Sequence, residues 1–323
     1  MADIRSEGQE DEDLHAFPWR ICLAGGWLDQ PWVSAVHPGP VLVVNVRPHI
    51  AFKTRSGLAT STRALGMELW GTRRGGSPPR DVAPERLARL LFCVENPVGC
   101  AYVSGSQDAL GLMLPGVSRL DYAGEFWPER TCSVGSEESV TWLQRVLHLV
   151  PLPSRPQGYD PLASKHVTLE VVQRLADASE RAWAAIIARD APALGAALSN
   201  TMRCWRDMLP ETVPAGSAEL IEPYDHHHGC LFSGAGGGFL LVVANEGESV
   251  KDGFQIEITR SPSPPRPRAR VDELAMAAQS KKQTIINHHA ALSDNLGRLL
   301  ALLCVAMQVV VLLGSALGWR TQE

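Results

Sequence analysis

The sequence predicts an α+β protein, because strand-like and helix-like segments follow one another between residues 18 and 260. The segment VLVVNV at 41–46 is rich in β-branched residues and predicts a strand. The segment PERLARLLFCVEN at 84–96 is amphipathic, has a proline in its first turn, and predicts a helix. The segment FQIEITR at 254–260 alternates apolar and polar residues and predicts a half-buried strand.

The size and composition of the chain are those of an ordinary globular protein. Its 323 residues suffice for one large domain or two small ones, with 45% hydrophobic and 20% charged residues. A net charge of −5 argues against nucleic acid as a partner. The seven cysteines include no CxxC pair, which favours a reducing compartment with buried thiols over a disulfide framework or a zinc site.

The first half of the chain opens with an acidic, polar lead-in at 1–17, for which disorder is predicted. Residues 19–34 then give a short strand, a Gly-Gly turn and a loop that contains an aspartate. Residues 60–70 have helical spacing, with Thr60 or Ser61 as the N-cap. A capping-box pattern starts another predicted helix at 136–152.

The second half of the chain is predicted to be mostly helical before it returns to strands. Residues 168–209 predict two or three helices, broken near Asp190. Residues 230–246 give a glycine-rich loop with an apolar strand behind it.

The C-terminal 63 residues differ in composition from the rest of the chain. The segment 261–298 combines a linker rich in proline and arginine with a polar helix. Residues 299–319 contain no charge, and a helix of that length can cross a hydrocarbon core. We therefore predict a tail anchor that leaves the rest of the protein in the cytosol. A buried core helix or an oligomerisation helix is the alternative.

Three glycine-containing loops and one aspartate carry the chemistry. The first loop is AGGWLD at 24–29, four residues after Arg20. The second is RSGLATST at 55–62, directly before a predicted helix, and the third is SGAGGG at 233–238. The aspartate is Asp108, in the segment VSGSQDALG.

The second loop has the residue types of an anion site. Five of its residues are small, so that backbone N–H groups can turn toward one point, namely Ser56, Gly57, Ala59, Thr60 and Ser61. A helix N-terminus follows with free N–H donors. A hydroxyl of Thr60 or Ser61 would suit Mg²⁺. A flexible loop that caps the helix is the alternative. The third loop is likewise open to two interpretations, a tight turn before a core strand or a backbone cradle for a phosphate or a sugar.

Taken in order, the four pieces resemble the motifs of the GHMP kinases, a family named for galactokinase, homoserine kinase, mevalonate kinase and phosphomevalonate kinase. Arg20 and AGGWLD resemble the R-x-x-x-AGGxxD motif of fucokinases and heptose-phosphate kinases. The 56–62 segment resembles GxGLGSSS, residues 234–239 resemble GAGGGG, and residues 105–108 match G-x-Q-D. The resemblance covers roughly residues 18–260.

The resemblance implies a two-lobed fold with the ATP site between the lobes. The N-terminal lobe, residues 18–150, would be similar to ribosomal protein S5, and the C-terminal lobe, residues 151–260, would be ferredoxin-like. It also implies a reaction, the Mg²⁺-dependent transfer of the γ-phosphoryl group of ATP to a hydroxyl of a sugar or sugar phosphate.

The resemblance assigns roles to individual residues. Asp108 would orient the acceptor hydroxyl and take its proton, and Arg20 would neutralise charge on the transferring phosphoryl group or keep Asp108 ionised. The expected ATP-binding residues are Ser56, Gly57, Leu58, Ala59, Thr60 and Ser61, with Ser61 also toward the metal. The expected substrate-binding residues are Gly25, Gly26, Asp29, Gly234, Ala235, Gly236 and Gly237. A second metal contact would come from Glu68 or Glu95.

Departures from the family pattern keep other functions open. Arg55 and Ala59 stand where the family has glycine, and both would narrow the phosphate site. They favour a membrane-tethered binding or regulatory protein that has lost turnover. A mevalonate-type kinase is a third possibility, against which the AGGxxD and GSQD pieces argue.

Two further groups of residues have more than one interpretation. The segment Asp225–His228 either binds a transition metal or is a polar loop. Trp19, Trp27 and Trp32 flank the first motif and either line a sugar site or pack in the core.

Overall fold

The computed structural model describes residues 17–134, 136–153, 159–214 and 216–260. These residues belong to one compact unit that ends at Ser261. The first 16 residues of the predicted lead-in, the linker segment 261–298 and the apolar tail 299–319 lie outside the described residues. Among the helices that are described, none has the length and apolarity that a membrane crossing requires.

The first half of the described chain forms a four-stranded antiparallel sheet in the order β1-β2-β3-β4. Its strands are β1 (Trp19–Ala24), β2 (Gly39–Val46), β3 (Val117–Tyr122) and β4 (Arg130–Ser133). Residues of β1 and β2 are almost all buried, since this half of the sheet is covered by helices.

A second four-stranded antiparallel sheet has the order β6-β7-β5-β8. Its strands are β5 (Leu147–Pro151), β6 (Gly229–Phe232), β7 (Phe239–Val243) and β8 (Phe254–Gln255). β6 and β7 form a hairpin, so that the SGAGGG segment is the loop that joins two neighbouring strands.

Eight α-helices and four short 3₁₀ helices complete the described part of the chain. The α-helices are α1 (Pro31–Ser34), α2 (Thr60–Leu69), α3 (Pro84–Glu95), α4 (Gln107–Met113), α5 (Glu137–Val146), α6 (Leu169–Ala188), α7 (Ala191–Met208) and α8 (Ser217–Ile221). The 3₁₀ helices are Ile50–Phe52, Thr72–Arg74, Pro210–Thr212 and Glu222–Tyr224.

The two longest helices hold the sheets together. α6 and α7 pack against each other, α6 also packs on β2, and α7 also packs on β6. Their apolar faces are buried, for example at Leu175 and Ala182 of α6 and at Leu198 and Trp205 of α7. Burial of a leucine side chain contributes about 1.5–3 kcal/mol, so this helix pair is a major part of the core.

Several predicted elements are confirmed, and two predictions are wrong. The helices predicted at 84–96 and 168–209 correspond to α3 and to the pair α6 and α7. The predicted N-cap is wrong, because the residue before α2 is Ala59, in the left-handed conformation, and Thr60 is already helical.

The helix predicted at 136–152 is in fact two elements. α5 ends at Val146, and the run Leu147–Pro151 continues without a loop as β5. β5 lies between β7 and β8 with four of its five residues buried. A short run of apolar residues is compatible with a central strand and with a buried helix. The spacing of its apolar residues therefore did not distinguish the two structures. β5 also crosses residue 150, where the boundary between the lobes was predicted.

Asn45 is a polar residue of β2 in the core, where β2, α4 and the C-terminal segment meet. Its side-chain nitrogen Nδ2 donates hydrogen bonds to the carbonyl oxygens of Gly111 (2.8 Å) and Leu112 (2.9 Å), at the end of α4. Its backbone carbonyl accepts from the backbone N–H of Thr259 (3.0 Å). The half-buried strand predicted at 254–260 thus pairs with β5 at Phe254–Gln255 and reaches the first sheet further on.

Replacing Asn45 with alanine is expected to lower the free energy of unfolding by about 2–3 kcal/mol, because two buried carbonyl groups lose their donors. Urea denaturation measures this change. Asn200→Ala is the matched control, since Asn200 is a partly exposed residue of α7, and it should change stability by less than about 0.5 kcal/mol. Equal losses in the two variants would contradict the structural role given to Asn45.

Candidate active site

The three glycine loops and Asp108 meet at one cavity of about 630 Å³. Residues from β1, α2, α3, α4, α7 and the loop between β6 and β7 reach it. The cavity is lined by Arg20, Cys22, Gly26, Trp27, Asp29, Gln30, Ser56, Gly57, Ala59, Thr60, Ser61, Ala64, Glu95, Tyr102, Ser104, Gly105, Gln107, Asp108, Trp205, Gly234 and Ala235. Residues that are far apart in the sequence therefore form a single site.

Arg20 and Asp108 form an ion pair in this cavity. Arg20 lies on β1 and is 5% exposed, whereas Asp108 lies in the first turn of α4 with its side chain 26% exposed. Burial lowers the pKa of the guanidinium, and the nearby carboxylates of Asp29 and Glu95 oppose that shift. Gly111 leaves room for Arg20, since a Cβ there would lie 2.2 Å from its Cγ.

Asp29 is a second buried carboxylate beside Arg20. Its Oδ1 accepts a hydrogen bond from Nε2 of Gln107 (2.9 Å), and a Cβ at Gly105 would collide with its other oxygen. Burial raises the pKa of Asp29 to about 6, although Arg20 and Gln107 pull it down. The site thus contains a carboxylate that titrates near neutral pH.

Glu95, at the end of α3, brings a third carboxylate to the cavity. Its Oε1 accepts a hydrogen bond from the hydroxyl of Thr62 (2.6 Å), while its Oε2 is buried and has no partner in the described part of the chain. Burial raises its pKa, and Thr62 and Arg20 oppose the shift. Glu68, the other residue considered for a metal contact, is exposed on α2 and does not line the cavity.

The second loop places the start of α2 at the cavity. Ser56, Gly57, Ala59, Thr60 and Ser61 all line it. Among the described residues no side chain caps the N-terminus of α2, which leaves its first backbone N–H groups free for an anion. The hydroxyl of Ser56 is also buried without a described partner.

Two residues of this segment differ from expectation. Leu58 is fully buried in the core and does not line the cavity. Arg55 does not narrow the site, because its guanidinium donates to the carbonyl oxygens of Leu152 (3.2 Å) and Ala51 (3.3 Å) and lies over the ring of Phe239. Ala59 adopts the left-handed conformation at φ 59°, where the family pattern has glycine.

The third loop reaches the cavity with only part of its length. Gly234 and Ala235 line the cavity, whereas Gly236 and Gly237 do not. The backbone N–H of Gly236 donates to the carbonyl of Thr212 (2.7 Å), and a Cβ at Gly236 would collide with the ring of Tyr159. Gly236 therefore fits the loop against protein, whereas Gly237 is favoured by its positive φ of 89° and not by lack of space.

The second and third loops are fastened to each other. The hydroxyl of Ser233 donates to the carbonyl of Gly57 (3.0 Å). A Cβ at Gly57 would lie 2.0 Å from the carbonyl oxygen of Ser233, and one at Gly238 would lie 2.2 Å from that of Ser56. Both glycines have positive φ, 93° and 119°, which only glycine adopts at low cost. The main role of Gly57 and Gly238 is therefore to let the backbones of the two loops approach each other closely.

Besides Arg20, Cys22 and Asp29, the first motif contributes one glycine and one tryptophan to the cavity lining. Gly26 lines the cavity, and its carbonyl accepts from the indole N–H of Trp205 (3.0 Å). Gly25 does not line the cavity, because it turns against the carbonyl of Pro40. Trp27 does line it.

The other two tryptophans of this region lie elsewhere. Trp19 packs in the core against Phe52, and Trp32 packs against Trp27 outside the lining. Sequence reasoning did not find Tyr102, Ser104 or Trp205, which no motif marks.

Replacing Gly57 with alanine is expected to lower the free energy of unfolding by more than about 3 kcal/mol, because the new Cβ forces two backbones apart. Gly75→Ala is the matched control. Gly75 has a similar positive φ of 79° but nothing within 4 Å of its Cβ position, so only about 1–2 kcal/mol of backbone strain applies. Denaturant unfolding of both variants measures the difference, and equal values would show that the two loops do not press on each other.

Replacing Asp29 with asparagine is expected to stabilise the protein above pH 6. The folded state holds the proton of Asp29 up to a pKa of about 6, whereas the unfolded chain releases it near 3.8. The contribution of Asp29 to the free energy of unfolding is therefore complete below pH 4 and is lost as the pH rises to 6. The variant should be more stable than the parent at pH 8 by about 1–3 kcal/mol. Unfolding curves between pH 4 and 8 test this, and a gain that grew toward pH 4 would contradict it.

Comparison with solved structures supports the fold. A crystal structure of mevalonate kinase aligns at a TM-score of 0.53 and 11% identity, over 76% of this chain and 98% of that one. The Methanococcus jannaschii mevalonate kinase aligns at 0.54 and 11% identity, over 76% of this chain and 97% of that one.

No protein-family model matches the sequence, and the search of curated proteins gives no match. At 11% identity the structural likeness concerns the path of the chain and not its substrate. The described part of the chain therefore has an α+β fold similar to that of these two mevalonate kinases, in agreement with the GHMP-kinase-like fold that the order of its glycine motifs predicted.

Proposed function

We propose that this protein is an ATP-dependent kinase that phosphorylates a hydroxyl group of an uncharged sugar. One observation carries the proposal. The uncapped N-terminus of α2 and the ion pair between Arg20 and Asp108 open into the same cavity. The free N–H groups at the N-terminus of α2 suit the phosphates of a nucleotide, and the carboxylate of the ion pair suits an acceptor hydroxyl.

The phosphate side of the site would be formed by residues 56–61. Free backbone N–H groups at the start of α2 would hold the β- and γ-phosphates, with the positive end of the helix dipole behind them. The hydroxyl of Ser61 and the free oxygen of Glu95 are suited to Mg²⁺, which prefers oxygen ligands. A Mg²⁺ ion held by these two groups would supply positive charge that partly neutralises the phosphates.

The acceptor side would be formed around Asp108. Its carboxylate would accept the proton of the sugar hydroxyl as that oxygen bonds to the γ-phosphorus and the bond to ADP breaks. Arg20 has two effects in this arrangement. It would pair with the carboxylate of Asp108 and would place a positive charge next to the transferring group.

The charge of the cavity favours an uncharged acceptor. Of its described lining residues, three carry a carboxylate, Asp29, Glu95 and Asp108, and one carries a guanidinium, Arg20. That guanidinium is already paired with Asp108. An acceptor with a carboxylate or a phosphate would meet no unpaired cation among these residues, so a neutral sugar is favoured over a sugar phosphate or mevalonate.

Groups that suit a sugar lie beside this pair. Asp29, in hydrogen-bond contact with Gln107, would accept from sugar hydroxyls, and Trp27 and Tyr102 would offer ring faces. The alternative, a binding or regulatory protein without turnover, rested on Arg55 and Ala59. The guanidinium of Arg55 binds the carbonyl oxygens of Leu152 and Ala51 and is not part of the cavity lining, so that the argument from Arg55 is weakened and only Ala59 still lines the cavity.

The proposal is tested by ADP release from the full-length chain with ATP, Mg²⁺ and a panel of hexoses, deoxyhexoses, heptose phosphates and mevalonate. Turnover is expected with a neutral sugar. Asp108→Asn should reduce it by about 10²–10⁴-fold with nucleotide binding retained, because the group that accepts the hydroxyl proton is lost. Asp177→Asn, at an exposed aspartate of α6, is the matched control and should keep full activity.

Each other outcome has a definite meaning. Turnover only with mevalonate or a sugar phosphate would reject the neutral acceptor while keeping the kinase. Nucleotide binding without turnover on any acceptor would replace the kinase with the regulatory alternative. Equal activity of Asp108→Asn and the control would remove Asp108 from the mechanism.

A further inference from the structure

Three side chains outside the lining of the active-site cavity bring ligand atoms together. They are His226, His227 and Glu248, and their nitrogen and oxygen ligand atoms all lie within 4.8 Å of one another. We call them the His226–Glu248 cluster. Its histidines belong to the Asp225–His228 segment for which the sequence left metal binding open.

The backbone fixes the two halves of the cluster. The segment before β6 is held by hydrogen bonds from the N–H of His227 to the carbonyl of Tyr224 (3.0 Å) and from the N–H of His228 to the carbonyl of Val243 (3.0 Å). Glu248 lies in the turn after β7. The cluster therefore joins the two ends of the β6–β7 hairpin that lie opposite its glycine loop.

The two oxygens of Glu248 have different roles. Oε2 accepts hydrogen bonds from the backbone N–H of Asn245 (3.0 Å) and from its Nδ2 (2.8 Å). These bonds fix the carboxylate and leave Oε1 toward the histidines, where it lies 3.1 Å from Nδ1 of His227. A carboxylate held in this way is typical of a metal ligand with supporting contacts.

His227 and Glu248 lie at ion-pair distance, but their atoms are poorly aligned for a directed hydrogen bond. Nδ1 of His227 is buried and has no hydrogen-bond partner among the described residues, although Oε1 is 3.1 Å away. The side chain of His227 is only 1% exposed, so bulk water does not satisfy this nitrogen. Two ligands that are each 2.0–2.1 Å from a tetrahedral zinc ion lie about 3.3 Å apart, close to the observed separation.

We propose that His226, His227 and Glu248 bind a divalent transition-metal ion, with zinc as the best fit. Two imidazoles and one carboxylate are a ligand set for zinc and not for Mg²⁺ or Ca²⁺, which take oxygen. The ring of His226 lies with its centroid 4.0 Å from that of His227 and is exposed, so water completes the coordination from the solvent side.

The bound ion would fasten the strand ends of the β6–β7 hairpin. The segment before β6 and the turn after β7 would share one ion, which stabilises the folded state by binding it in preference to the unfolded chain. The neighbouring His228 takes no part, because its Nε2 already contacts Oδ1 of Asn245 at 2.8 Å. The proposal does not depend on the kinase activity.

The test is calorimetric titration of zinc into the untagged, chelator-treated full-length chain, followed by thermal unfolding with and without zinc. One equivalent is expected to bind at this site, with a rise of about 5 °C in Tm at saturating zinc. Cobalt(II) should give the intense visible absorption of a tetrahedral site. His226→Ala and Glu248→Gln should each weaken binding by at least about tenfold, since even supporting contacts are worth 10–100-fold in metal affinity.

His166→Ala is the matched control, because His166 is an exposed histidine outside the cluster. It should bind zinc like the parent. Both ligand substitutions are near the surface, and equal Tm values of the zinc-free proteins would confirm that they fold. Absence of zinc binding to the parent would overturn the proposal, and so would binding that His226→Ala and Glu248→Gln leave unchanged.

Discussion

The buried guanidinium of Arg20 is the constraint around which the active-site region is built. A charge removed from water must be compensated nearby, and here the compensation comes from Asp108, Asp29 and Glu95. These three carboxylates come from α4, the loop after β1 and α3. Three separate elements must therefore converge on one strand residue, and this requirement fixes where α3 and α4 lie on the first sheet.

Glycine residues leave the space that the charged side chains of Arg20 and Asp29 occupy. Gly111 makes room for the stem of Arg20, and Gly105 makes room for the carboxylate of Asp29. Asn45 holds the far end of α4 in place. The raised pKa of Asp29 shows that compensation is incomplete, as is typical of sites where function and not stability determines the residues.

The sequence was most informative where chemistry requires a particular residue. The order of the motifs placed Arg20, Asp29, Asp108 and the loops at 55–62 and 233–238 in one fold, and the structure brings these pieces to one cavity. Each of these residues is identified by a local pattern, since a turn or a helix start depends on its neighbours in the chain.

The sequence was least informative where tertiary packing determines which secondary structure forms or which side chain faces the cavity. β5 follows α5 directly because the second sheet requires a strand between β7 and β8. A run of apolar residues does not by itself reveal this requirement. The choice between Glu68 and Glu95 depended on how α2 and α3 face the cavity. The close packing of Gly57 on the carbonyl of Ser233 and of Gly238 on that of Ser56 also could not be predicted locally, because 176 residues separate Gly57 from Ser233.

The C-terminal segment of the described unit has a consequence for how the protein is made. Thr259 hydrogen-bonds to Asn45 across 214 positions of sequence, and Phe254–Gln255 pairs with the middle of the second sheet. Contacts of such long range slow folding. On the ribosome, the end of β2 at Asn45 and Val46 must wait for almost all of the remaining unit to emerge before it gains this partner. The last contacts of the unit can therefore form only after its C-terminal segment has been synthesised, so that the complete unit cannot assemble during most of translation.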